Sequence, residues 1–175
     1  SVESIGDRAF EGCINLISWE NGVGYVDNWA VDCNNTVSSI MLQAETIGIA
    51  GKTFNNCQNL KNITIPQNVL YIADSAFVGC NNIEELSVSA VHIHSLMLIL
   101  DPIKVIITGG DKIEYGTFYK SKNLTNVILS DEITIIEGSA FEECLKLEEV
   151  VLSNNLKIIG AYAFEDCSNL KTITI

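Results

Sequence analysis

The chain has 175 residues, 47% of them hydrophobic and 18% charged, a balance that fits a folded core and excludes a disordered tail. Its formal charge is −12, with ten Lys plus Arg against 22 Asp plus Glu, so no basic stripe is available for a phosphate backbone or an anionic membrane. No apolar run reaches the roughly 18 residues of a membrane span, residues 95–100 being the most apolar piece, and no charged-then-apolar export segment opens the sequence.

One pattern returns along the chain. It reads AFEGCINLISW from Ala9, TFNNCQNLKNITI from Thr53, AFVGCNNIEELSV from Ala76, AFEECLKLEEVVL from Ala140 and AFEDCSNLKTITI from Ala163, and such recurrence marks an array of stacked units. With the Phe as anchor, the register falls on Phe10, Ala30, Phe54, Phe77, Met97, Phe118, Phe141 and Phe164, which predicts eight turns in one domain spanning residues 1–175. Three residues on lie Cys13, Cys33, Cys57, Cys80, Leu100, Ser121, Cys144 and Cys167, and a strand-opening apolar residue follows each. Turns two and five, at Ala30 and Met97, are degenerate.

Within a turn, Leu60-x-x-Ile63-x-Ile65 alternates apolar and polar residues, the signature of a half-buried strand. Pro66 and Asn68 end it, Val69 and Ile72 add a second apolar contact, and Ala76-Phe77-x-x-Cys80 has the spacing of one short helical or 3₁₀ turn. A unit this small cannot bury its apolar side alone and must stack on its neighbours.

The consensus I-G-x-x-A-F-x-x-C-x-x-L-x-x-I-x-I resembles the leucine-rich repeat of the BspA-like bacterial surface proteins, and residues 105–118 resemble the Gly-Gly link between units of that family. The resemblance implies an α/β fold: a right-handed, curved, horseshoe-like solenoid with a parallel sheet of about eight short strands and short helical or 3₁₀ turns on its convex side. It also implies a cell-surface or secreted protein, often adhesive, and often one piece of a longer chain.

All six cysteines share one register position, which predicts a ladder of buried thiols acting as small apolar residues. Neighbouring rungs stand about 4.8 Å apart, so distance alone permits a disulfide, while parallel side-chain vectors oppose one. No C-x-x-C pair suggests a metal. His92 and His94 form an H-x-H pair that a strand would place on one face, yet no acid or thiol adjoins them to complete a ligand set. Neither histidine is tied to a nucleophile, and no catalytic or phosphate-binding motif occurs, so no enzyme, cofactor or metal site is expected.

The acidic pairs Glu84-Glu85, Glu142-Glu143 and Glu148-Glu149 read as solvated faces, because adjacent strand residues point to opposite sides. The Asn-x-Thr triplets at Asn34, Asn62 and Asn123 match a glycosylation acceptor, a short pattern that recurs by chance in Asn-rich turns. On the expected outward strand positions, Val105, Ile107, Asn126, Ile128, Glu149 and Val151 form a patch of branched apolar residues among polar ones, the candidate protein-binding face. Trp19 is the one aromatic platform there, which favours a protein over a glycan ligand.

The expected role is therefore non-enzymatic recognition of a host or neighbouring-cell protein, with a ligand-free spacer or assembly segment as the alternative. Ile175 falls on a strand without a polar cap, so a longer natural chain or edge-to-edge self-association is expected there.

Overall fold

The computed structural model describes residues 2–174; Ser1 and Ile175, with the strand edge expected at Ile175, lie outside the described residues. The chain divides into two compact units, Ser1–Ile83 and Glu84–Ile175.

The first unit opens on an antiparallel meander, β1 (Ser18–Glu20), β2 (Val23–Val26) and β3 (Trp29–Cys33). This corrects the expectation that every strand would pair in parallel. The physical reason is Asn21-Gly22, which links β1 to β2 with φ of 49° and 84°, the double-positive turn whose twist matches a hairpin. Turn two thus spends its register residues, Ala30 and Cys33, on a strand. Beyond the meander lie β4 (Ser39–Met41), β5 (Gly48–Ile49), β6 (Asn62–Thr64) and β7 (Tyr71–Ile72). Here the parallel order takes over: β3 pairs with β5, β5 with β7, and β4 with β6 through Ile40 opposite Ile63.

The second unit holds β8 (Glu85–Val88), α1 (Ala90–Met97), β9 (Lys104–Ile107), β10 (Lys112–Ile113), β11 (Asn126–Leu129), β12 (Ile135–Ile136), β13 (Glu149–Val151), β14 (Ile158–Ile159) and β15 (Thr172–Thr174). Strands β8, β9, β11, β13 and β15 pair in parallel in chain order, and β10, β12 and β14 form a second, narrower parallel ladder. Turn five is a helix. Ala90, Ile93 and Leu96, spaced at three, supply its buried side. No helix among the described residues is long and apolar enough to cross a membrane.

The A-F-x-x-C connections are β-turns rather than the expected helical or 3₁₀ pieces. The Cys or Ser N–H donates to the Phe carbonyl three residues back, at 3.0–3.3 Å in all six anchored turns. The residue between them, Gly12, Asn56, Gly79, Lys120, Glu143 or Asp166, has positive φ, as a type II turn requires and a right-handed helix forbids. Gly160 shows how tightly turns lie on one another, since a Cβ there would come within 2.5 Å of the Gly138 nitrogen.

The anchors form columns of rings. Phe54 stacks on Phe77 at 5.0 Å, while Phe118, Phe141 and Phe164 stack at 4.7 and 4.9 Å, all within 14° of parallel. Beside them the thiols are not merely apolar filler. Cys80 Sγ donates to the Phe54 carbonyl at 2.8 Å, Cys144 Sγ to Phe118 at 2.9 Å and Cys167 Sγ to Phe141 at 3.0 Å, each reaching one turn back. The ladder is incomplete, however, because Cys13 is exposed and Cys167 is half-buried. All six cysteines are free thiols.

A third column was not foreseen. Two residues after the Cys position, Asn59, Asn82 and Asn169 donate through Nδ2 to the carbonyls of Asn35, Gln58 and Leu145, 24 residues earlier in each case. The signal was present as a recurring Asn before the strand-opening residue, at Asn15, Asn59, Asn82, Asn123 and Asn169.

Candidate functional site: the strand face of the second unit

In a strand successive side chains point to opposite faces, so the pairing register decides which residues meet solvent. In the second unit Glu85, Lys104, Asn126, Glu149 and Thr172 stand in one row across the strands, and Ser87, Ile106, Ile128, Val151 and Thr174 in a row two residues along. The residues between them face inward: Leu86, Val105, Val127 and Val150 are all buried.

This register corrects the sequence reading at β9 by one residue. Val105 is 0% and Ile107 1% exposed, so both belong to the core, and Lys104 and Ile106 take the outward positions. The segment Lys104-Val105-Ile106-Ile107 offers three apolar residues in succession, and alternation cannot choose between them. Pairing can: Lys104 lies opposite Glu85 and Asn126, and its Nζ meets the Glu85 carboxylate at 2.9 Å. Of the remaining expected residues, Asn126 and Ile128 are half-buried, and Glu149 and Val151 are exposed.

The face is thus striped. The first row is polar and internally paired, with Asn126 Nδ2 donating to Glu149 Oε2 at 2.9 Å beside the Lys104–Glu85 pair. The second row is apolar at its centre, through Ile106, Ile128 and Val151. A third row, at the strand ends, carries the hydroxyls of Ser89, Thr108, Ser130 and Ser153. Both the Thr108 and Ser130 hydroxyls are shielded from solvent without a hydrogen-bond partner.

The other singled-out residues fall elsewhere. His92 and His94 sit on α1, where residues two apart diverge by about 200° around the axis, so they do not share a face. His94 Nδ1 lies 3.5 Å from Thr117 Oγ1. Among the described residues no group of three or more His, Cys, Asp or Glu is placed to hold a metal. The acidic pairs lie on the surface as read, and three of their members reach to a neighbouring turn: Glu85 to Lys104, Glu143 to Lys120 at 3.1 Å and Glu148 to Lys171 at 2.8 Å. Exposed pairs of this kind are screened by solvent and add little to stability. Trp19, in β1, is half exposed.

Stacked turns of about 23 residues that add rungs to a parallel sheet and, at five positions, a Phe to a ring column define a leucine-rich repeat solenoid. More narrowly, the chain belongs to the BspA type leucine rich repeat region family, whose pattern matches six copies over residues 1–96 and 104–175. Six copies agree with the six anchors that keep the Phe-to-Cys turn.

Among solved structures, a leucine-rich repeat protein from Eubacterium ventriosum is similar at a TM-score of 0.57 and 19% identity, over 99% of this chain and 57% of that one. A leucine rich cell surface protein from Faecalibacterium prausnitzii gives 0.48 and 24%, over 99% and 48%, and a leucine-rich repeat protein from Bacteroides ovatus gives 0.46 and 18%, over 93% and 49%. The chain therefore spans about half the length of these relatives, and the first of them supports the fold. No curated protein sequence matches the chain.

Proposed function

We propose that this chain is a non-enzymatic recognition module, displayed at a cell surface or secreted, that holds a protein ligand on the strand face of its second unit. The observation that carries the reading is the outward row Ile106, Ile128 and Val151, three branched apolar side chains on adjacent strands bordered by charged and amide groups on one side and hydroxyls on the other. An apolar centre with a polar border is how protein interfaces are built. Membership of a repeat family that supplies bacterial surface proteins supports the location, and the adhesin-like role follows from the same resemblance.

The test is a pull-down of extracellular proteins, followed by solution binding of the captured partner to the double variant Ile106→Lys with Ile128→Lys. Both side chains are partly solvated, so the circular dichroism spectrum should be retained while binding falls at least about tenfold, through desolvation of two buried charges. Unchanged binding by a folded double variant would remove this face as the site, and failure to capture any protein would favour the spacer alternative.

A further inference from the structure

The second unit also carries a cleft, lined by none of the strand-face residues. Residues His94, Tyr115, Gly116, Tyr119, Ser139 and Glu142 line a cleft of about 420 Å³, within the range of roughly 300–1,000 Å³ in which small-ligand sites fall. Two tyrosines that are 67% and 46% exposed, Tyr115 and Tyr119, supply aromatic surface here, a costly use of large rings unless something covers them.

The turn that carries the two tyrosines is held in place. Tyr115 N–H donates to Glu137 Oε2 at 2.9 Å, and the other oxygen of that carboxylate takes Lys112 Nζ at 2.8 Å, which keeps the Glu137 carboxyl below the usual carboxylate range. Ring carbons of Tyr115 stand 3.5 Å from where a Cβ would project from Gly138, an ordinary packing distance that sets the ring against the next turn. Tyr119 is fixed by its hydroxyl bond to Glu143 Oε1 at 3.4 Å and by Lys120 Nζ, 4.7 Å from its ring centre. His94 is tied to the same turn through Thr117. Prearranged side chains lose little entropy when a ligand arrives.

Against these fixed rings stand polar groups with no protein partner. Among the described residues the half-buried Glu142 carboxylate makes no hydrogen bond or ion pair, and Ser139, 5% exposed, has no hydrogen-bond partner for its hydroxyl. Both groups line the open cleft, where an incoming ligand can pair with them. A carboxylate that accepts, a hydroxyl and an imidazole that both donate and accept, and aromatic faces beside them match a molecule whose hydroxyls do both and whose ring carbons present C–H groups. A simple cation would use the carboxylate alone, and Tyr119 already has the Lys120 ammonium on its ring.

We propose that this cleft binds a neutral saccharide, a site that goes beyond the strand-face reading and does not depend on it. The experiment is saturation-transfer NMR on the intact chain with cellobiose, lactose and N,N′-diacetylchitobiose as probes and tetramethylammonium as the cationic control. Transfer to the ring C–H protons of at least one disaccharide is expected. Tyr115→Ala and Glu142→Gln should each weaken that binding roughly tenfold, as loss of one stacking face or one charged acceptor would, with folding checked by circular dichroism. Ile106→Lys should leave it unchanged. The proposal is overturned if none of the three disaccharides shows transfer at millimolar concentration, if binding survives both substitutions, or if tetramethylammonium alone binds.

Discussion

Each unit contains one turn that lost its Phe anchor, and the two repairs differ. In the first, Ala30 replaces Phe and the chain folds into a meander whose Trp29 fills the space, lying 5.9 Å from Tyr71 and against Gly48. In the second, Met97 replaces Phe and a helix covers the gap with Ala90, Ile93 and Leu96. The difference follows from the local sequence. Asn21-Gly22 enforces a hairpin, whereas 90–97 has good helix formers, apolar residues at a spacing of three, and no Gly or Pro. A repeat array therefore conserves the volume behind its sheet more strictly than the element that fills it.

The largest break should come from the ring columns. Phe141 lies between two partners and Phe54 stacks on one, so Phe141→Ala should cost about 3–5 kcal/mol in urea unfolding and Phe54→Ala should fall at the lower end of that range. Equal losses would mean that stacking adds nothing to burial.

Alkaline pH should separate the units next. Cys57 in the first unit is pushed up to about 12, chiefly by the neighbouring Cys33 thiol and then by burial, and Cys80 is raised by Cys57 and by burial. In the second unit Cys144 is raised by Cys167 and burial, while the contact with Cys144 lowers Cys167. A thiol with a raised folded pKa holds its proton more tightly when folded. Its stabilisation is complete below the unfolded value of about 8.5 and declines as pH rises from there toward the folded value. Amides of the first unit should therefore lose hydrogen-exchange protection above about pH 8.5 sooner than those of the second, and Cys57→Ser should reduce that difference.

The smallest effect belongs to the asparagine column. Asn82→Ala in the first unit and Asn169→Ala in the second each remove one bond to the preceding turn, so each should lower stability by about 1 kcal/mol in the same denaturation assay.

Strand positions were legible because alternation is explicit wherever one apolar residue sits between polar ones, as in Asn62-Ile63-Thr64. It failed at Val105-Ile106-Ile107, where only the partner strand fixes the face. The β-turns were half legible. Gly12, Asn56 and Gly79 advertise positive φ before the Cys position, but Lys120, Glu143 and Asp166 adopt it too and conceal the pattern. The Asn21-Gly22 hairpin was legible in principle, and the eight-turn register passed over it. The saccharide cleft was not, because its residues come from α1 and two successive turns, and only stacking brings residue 94 to residue 142.

Side-chain bonds between turns run with near-constant reach: Cys80 to Phe54 spans 26 residues, Asn82 to Gln58 24, and Lys171 to Glu148 23. A molecule wired at one interval has a preferred unit of length change. Losing a single residue inside a turn misaligns the Phe, Cys and Asn columns together, whereas duplicating or deleting a whole turn leaves every column continuous. Such a gene is free to lengthen or shorten by recombination between its own repeats.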